Sequence, residues 1–184
     1  MLKSVCVVIF FSSCKNEIDD IRALTDAQHK PVQTSYNATY TFTEKGMLRQ
    51  KLTAARIDQY KGDADYIEAN GGFQLCFYDS LQNEEAQLIA EHGIYTENDK
   101  RFVAEKNVVL RNIKGEKLET EQLIFETDSS RIYTDKFVVI TLENGSVIRG
   151  NGLESNDAFT RYRIIHPTGE LYMDQQNPTN ASTK

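Results

Sequence analysis

Tryptophan is absent from this chain, proline occurs three times and cysteine three times, at positions 6, 14 and 76. No CxxC pair and no even set of spaced cysteines is present, which excludes the usual frameworks of a zinc site or a disulfide-stapled domain. His29, His92 and His166 are scattered without metal-ligand spacing, and no cofactor or metal is expected. A GxxxxGK-type phosphate loop is missing, so the chain carries no nucleotide-driven motor of that kind. Basic residues are outnumbered 21 to 27, giving a net charge of −6. That balance argues against nucleic acid as a partner, because phosphate binding needs a basic surface. Long apolar runs are also missing. The run Val5–Phe11 holds seven residues, far short of the roughly 20 that span a bilayer.

What is present begins with that short run. Lys3 gives a basic start, Val5–Phe11 is apolar, and Ser12, Ser13 and Cys14 follow. A basic start, an apolar stretch and small residues before a cut describe a secretory signal. The small-small-Cys ending resembles a bacterial lipoprotein signal, which implies cleavage before Cys14 and lipidation of its thiol. Residues 1–13 are therefore expected to be a signal peptide and residues 14–37 a lipidated cysteine with a charged tether. Acyl chains on Cys14 would hold the protein at a membrane surface, each buried methylene contributing about 0.8 kcal/mol.

From Ala38 the chain reads strand, turn, strand. Tyr40 and Phe42 alternate with threonine, and turn compositions such as Glu44-Lys45-Gly46, Lys114-Gly115-Glu116 and Glu143-Asn144-Gly145 recur at even spacing. No helical pattern lies between them. Parallel strands would need long crossovers, for which there is no room. The expectation is an all-β antiparallel meander or jelly-roll of about ten strands over residues 38–173, with a polar tail at 174–184.

One block is written twice. Leu88–Gly115 and Leu118–Gly145 align without gaps at a period of thirty, matching Leu88 with Leu118, Val108 with Val138 and Leu110 with Ile140. Such a period marks a repeated unit that buries its apolar face only by stacking on its neighbours. The unit is a β-hairpin with its turns. Weaker copies flank the pair: Ile67, Phe73 and Leu75 match Phe102, Val108 and Leu110 at an offset of 35.

Side chains alternate across a strand, so one parity lines one face. Leu88, Ala90, His92 and Ile94 share a parity, as do Leu118, Thr120, Gln122 and Ile124. On the returning strands Phe102, Ala104, Val108 and Leu110 share one, as do Ile132, Thr134, Val138 and Ile140. Lys106 and Lys136 break the apolar parity at matching positions, which suggests a bulge in both units. Two architectures fit. In a closed β-sandwich the apolar face meets only the opposite sheet, as in a scaffolding envelope lipoprotein. In an open roll the sheets part along one edge and the interior holds a lipid. Both need an apolar inner face.

Catalysis is not expected. A glycan-cleaving enzyme needs two carboxylates converging on one site, whereas Glu119, Glu121, Asp128 and Asp135 alternate with turns as a solvated face does. Cys76, between Leu75 and Phe77, reads as a buried free thiol.

Across residues 38–165 the pattern resembles the LptC family, the membrane-tethered component of bacterial lipopolysaccharide export. The resemblance is carried by Tyr40-Thr-Phe-Thr-Glu-Lys-Gly46 with Leu52-Thr-Ala-Ala-Arg-Ile57 and Tyr60. It is carried also by the hairpin repeat, with strands ending V-x-L or V-x-I, and by Ile148-Arg-Gly-Asn-Gly-Leu153. The best-known members hold the membrane by an uncleaved helix, where this chain presents a lipoprotein signal. The resemblance implies a twisted open β-jelly-roll (a β-taco) built of repeated hairpins. It implies that acyl chains of lipopolysaccharide lie against Phe73, Leu75, Leu88, Ile94, Val108, Leu110, Leu118, Ile124, Val138 and Ile140. Gly150, Gly152 and Leu153 would lie near an edge that meets the next bridge protein. The implied partners are lipopolysaccharide, an inner-membrane ABC transporter and an LptA-like periplasmic protein, with the chain anchored at the periplasmic face of the inner membrane.

Overall fold

The structure, a computed structural model, describes residues 30–62 and 65–168. The expected signal peptide, Cys14, the tether as far as residue 29 and the tail at 174–184 lie outside the described residues. Nine antiparallel strands form one sheet in sequence order: β1 (Gln33–Glu44), β2 (Met47–Tyr60), β3 (Tyr66–Tyr78), β4 (Glu84–Thr96), β5 (Arg101–Asn112), β6 (Lys117–Glu126), β7 (Arg131–Thr141), β8 (Val147–Asn156) and β9 (Tyr162–Thr168). Among the described residues only β1 and β9 have a free edge, so the sheet is open. The all-β jelly-roll expectation holds, with nine strands among the described residues. β1 also starts inside the stretch assigned to the tether. Its polar first half, Gln33 to Tyr36, pairs with Arg56–Gln59, and Asn37 at φ 49° supplies a bend that an asparagine tolerates.

A line of irregularities crosses the sheet and creates the interior. The register shifts at Ala54/Arg56, Asn70/Phe73, Ile89/His92, Glu105/Val108, Thr120/Ile124 and Thr134/Phe137. A bulge bends its strand, and bulges in neighbouring strands at one level crease the whole sheet. The bulges expected at Lys106 and Lys136 are both on this line, and both lysines are exposed. Lys106 and Asn107 take φ of 66° and 52°.

The crease turns one sheet into two facing layers. Phe77 on β3 and Phe125 on β6 have ring centroids 5.1 Å apart, and Phe42 on β1 and Tyr95 on β4 have centroids 5.9 Å apart. On a flat sheet, strands three apart would be separated by about 14 Å, three spacings of about 4.8 Å. The sheet must therefore bend over its inner face. Small residues line the crease: Ala54, Ala69, Ala90 and Ala104 are buried there, beside Gly93. A Cβ on Gly93 would stand 2.7 Å from Phe102 Cζ and 2.8 Å from Phe73 Cε1. The interior is thus a wedge, narrow at the alanines and wide where leucines and phenylalanines face each other.

Candidate functional site

Register sets the lining of the wedge. On one layer Tyr40, Leu52, Leu75, Leu88, Leu110, Leu118, Ile140 and Ile148 stand opposite one another from strand to strand, β1 through β8. On the other layer Ile67, Tyr95, Phe102, Phe125, Ile132, Ser155 and Tyr162 do the same, β3 through β9. An aliphatic row thus faces a largely aromatic one. Each buried leucine or phenylalanine contributes about 1.5–3 kcal/mol relative to exposure, so these rows hold the fold together as well as line its interior.

Eight of the ten residues expected to line the interior are on these inner faces and buried: Phe73, Leu75, Leu88, Val108, Leu110, Leu118, Val138 and Ile140. Ile94 and Ile124 are not. Both are half-buried and lie on the outer face, while Gly93, Tyr95, Leu123 and Phe125 take the inner positions. The cause is the crease. Buried inner residues are two apart within each half-strand but three apart across the crease on β2, β4, β6 and β8, as in Ala90–Gly93 and Thr120–Leu123. The step is four on β3, β5 and β7, as in Ala104–Val108 and Thr134–Val138. An odd step flips the parity and an even one keeps it. Tyr95 and Phe125 are inner residues that simple alternation puts on the opposite face, and Leu52, Phe77 and Phe102 join the lining as well, the last two in the parity of their neighbours Leu75 and Val108.

Gly150, Gly152 and Leu153 lie on β8, one strand in from the free edge. β8 is flanked by β7 and β9, and Gly150 pairs with Pro167, Leu153 with Ile164. A Cβ on Gly150 would run into Ile164 Cγ2, and Gly152 has φ 86° with Ile165 close above it. The glycines let β9 lie tightly on β8, and Leu153 is fully buried. The free edge on this side is β9 itself, which carries Pro167.

The two ends of the interior differ. At one, Phe42, Gln50, Leu52, Leu75, Tyr95, Phe102, Phe125 and Thr127 line a crevice of about 20 Å³. Four of these also line a wider polar recess with Glu44, Arg49, Lys100 and Asp128, through which the crevice reaches solvent. At the other end the β8–β9 turn folds inward and Phe159 is fully buried. Its ring stacks on Tyr162 at 4.8 Å, and the Tyr162 hydroxyl donates to Glu116 Oε1 at 3.4 Å. Burial first, then the Glu116 carboxylate, pushes the Tyr162 phenol up to about 12. Glu85 lies beneath the same turn, where burial and then the Asp157 carboxylate push its own carboxyl up.

Outside the crease, a run of polar side chains joins the strands. Asp58 accepts from Thr34 Oγ1 at 2.6 Å and Asn70 Nδ2 at 3.3 Å and pairs with Arg56 Nε at 2.8 Å. Burial alone would raise this carboxyl, but the three donors outweigh it and hold Asp58 below the usual carboxylate range. His92 Nε2 lies 3.1 Å from Glu68 and Nδ1 3.4 Å from Glu105, which accepts from Gln122 at 2.8 Å. Among the described residues no group of three His, Cys, Asp or Glu is placed to hold a metal.

The sequence matches the family model for lipopolysaccharide assembly, LptC-related, over residues 2–168. The chain belongs to the LptC family. Its role is accordingly in lipopolysaccharide transport, on the periplasmic side of the cell envelope, in a family of transport-bridge proteins. No curated protein matches the chain.

Proposed function

We propose that this LptC-family protein receives the acyl chains of lipopolysaccharide between its aliphatic and aromatic layers. In this reading it takes them from an inner-membrane ABC transporter and passes them to an LptA-like bridge protein. The observation that carries the proposal is the pair of facing rows, apolar from strand to strand except at Ser155. Acyl chains cannot cross water exposed, since each methylene removed from it contributes about 0.8 kcal/mol. Two long parallel rows offer such chains a track, while sugars stay outside. The crevice at Phe42 and Tyr95 is the point of admission, where the layers meet by aromatic edge contact and already leave free space. The lipoprotein-type motif supports a tether at Cys14. Among the described residues no helix is long and apolar enough to cross a membrane. Cys14→Ser then moves the protein from the membrane to the soluble periplasmic fraction.

A photo-crosslinker at Leu75 or Phe125 should capture lipopolysaccharide in cells, whereas one at the exposed, outward Glu121 should not. Equal capture at all three positions overturns the proposal. One observation favours a second reading, a closed scaffold: the inner residues Leu110, Leu118, Val138 and Ile140 are at most 1% exposed. Under that reading none of the inner positions captures lipid.

A further inference from the structure

The β8–β9 turn departs from the other turns of the sheet. Gly46, Gly115 and Gly145 sit at exposed tips, as does Asp99, whereas Ala158 and Phe159 are buried. Phe159 has φ 50°, and it is the only apolar side chain among the non-glycine residues with positive φ in the described chain. A bulky residue is rarely found in the left-handed region, and it stays there only where the surroundings hold it. Here one buried side chain does most of the holding. Asn112 Nδ2 donates to the Phe159 carbonyl at 2.7 Å and to Glu116 Oε2 at 2.6 Å. Its Oδ1 accepts from the backbone of Lys114 and Glu116, both at 3.0 Å. Glu116 in turn accepts from the Tyr162 hydroxyl, under the ring that stacks on Phe159.

We propose that the Asp157–Arg161 turn is a latch. Phe159 plugs the interior at the end away from Phe42 and Tyr95, and release of its carbonyl by Asn112 lets the turn swing out. The inference rests on the reading that acyl chains enter the interior: they advance along the rows and stop at Phe159 until the latch opens. Three features fit a part that moves. The turn is stapled across the layers by few groups. Its backbone conformation relaxes on release. Its internal bonds, from Thr160 and Arg161 amides to Asn156 Oδ1, travel with it, and one backbone bond, from the Asp157 amide to the Ser130 carbonyl at 3.1 Å, ties its base to the β6–β7 turn.

Two variants of the full chain test this. Asn112→Asp keeps the acceptor for Lys114 and Glu116 but removes the donor to Phe159. Phe159→Gly removes the plug and accepts the positive φ. Amide exchange read by mass spectrometry should rise about ten-fold or more over residues 157–162 in both, with β1 and β2 unchanged. A photoreactive palmitic acid should label Leu75 in all forms, and Val138 and Ile140 several-fold more in the variants than in the wild type. Unchanged exchange in both variants, or wild-type labelling of Ile140 as strong as theirs, overturns the latch. Raised exchange without interior labelling in any form overturns the lipid reading instead and leaves the motion of the turn standing.

Discussion

The two ends of the interior are closed by different physics. At the Phe42 end the layers meet through an edge-to-face aromatic contact beside a crevice of about 20 Å³. At the Phe159 end a buried amide, a carboxylate and a phenol tie the layers across many residues of sequence. An aromatic pair is worth about 0.5–1.5 kcal/mol beyond its burial, while orphaning a buried polar group costs about 1–3 kcal/mol. The first end therefore yields before the second. A single creased sheet, without any hinged domain, is thus fastened unequally at its two ends.

The largest expected effect removes the contrast altogether. Gly93→Val places side-chain atoms where Phe73 and Phe102 already meet, at a point with no slack between the layers. Overpacking of this kind costs about 3 kcal/mol, and urea unfolding should show it, with amide exchange rising at both ends alike. A loss under about 1 kcal/mol would mean that the crease is not a shared anchor. Next in size is Asn112→Ala. It orphans the Phe159 carbonyl and the Glu116 and Lys114 amides, costing about 2 kcal/mol, and exchange should rise only at the β8–β9 end. Uniform exchange would erase the distinction between the ends.

Much of this architecture was legible in the chain, and the part that was not has one cause. Strand spans, turns and the hairpin repeat followed from alternation and turn chemistry, and Lys106 and Lys136 marked the bulges of β5 and β7. The inner face was then assigned correctly on β5 and β7, where the crease takes a four-residue step. It failed at Ile94 and Ile124, where β4 and β6 take a three-residue step and side chains change faces. The matching signal was present: His92 and Gln122 are polar residues in the apolar parity, as the lysines are. Gly150 and Gly152 lie one strand in from the edge; a glycine next to an edge and a glycine on it look alike in sequence, and only the pairing of β9 separates them. Phe159 gave a single cue, one aromatic in a polar turn, and its place in the interior depends on Asn112, far away in the chain.

A smaller effect uses pH to act on one end alone. Tyr162 has its phenol pushed up to about 12 from an ordinary value near 10. A raised folded value favours the protonated form, so its contribution to stability is complete below about pH 10 and is lost as pH rises from there toward 12. The melting temperature of the wild type should fall across that window, and Tyr162→Phe should fall less steeply. Equal slopes would mean that the buried phenol does not fasten this end.

The smallest change in stability is expected at the Phe42 end, and it should carry the largest change in lipid access. Phe42 is half-buried and packs on Tyr95 at the rim, so Phe42→Leu, which keeps most of the burial and removes the edge-to-face contact, should cost about 1 kcal/mol and loosen the crevice. Labelling of Leu75 by a photoreactive fatty acid should then increase. Asn112→Ala, although more destabilising, should leave Leu75 labelling unchanged and raise it at Ile140. If access simply followed global loosening, the less stable variant would label more strongly at both positions. A crossed pattern, with each variant changing only its own end, requires that local closure and not overall stability governs how the interior opens.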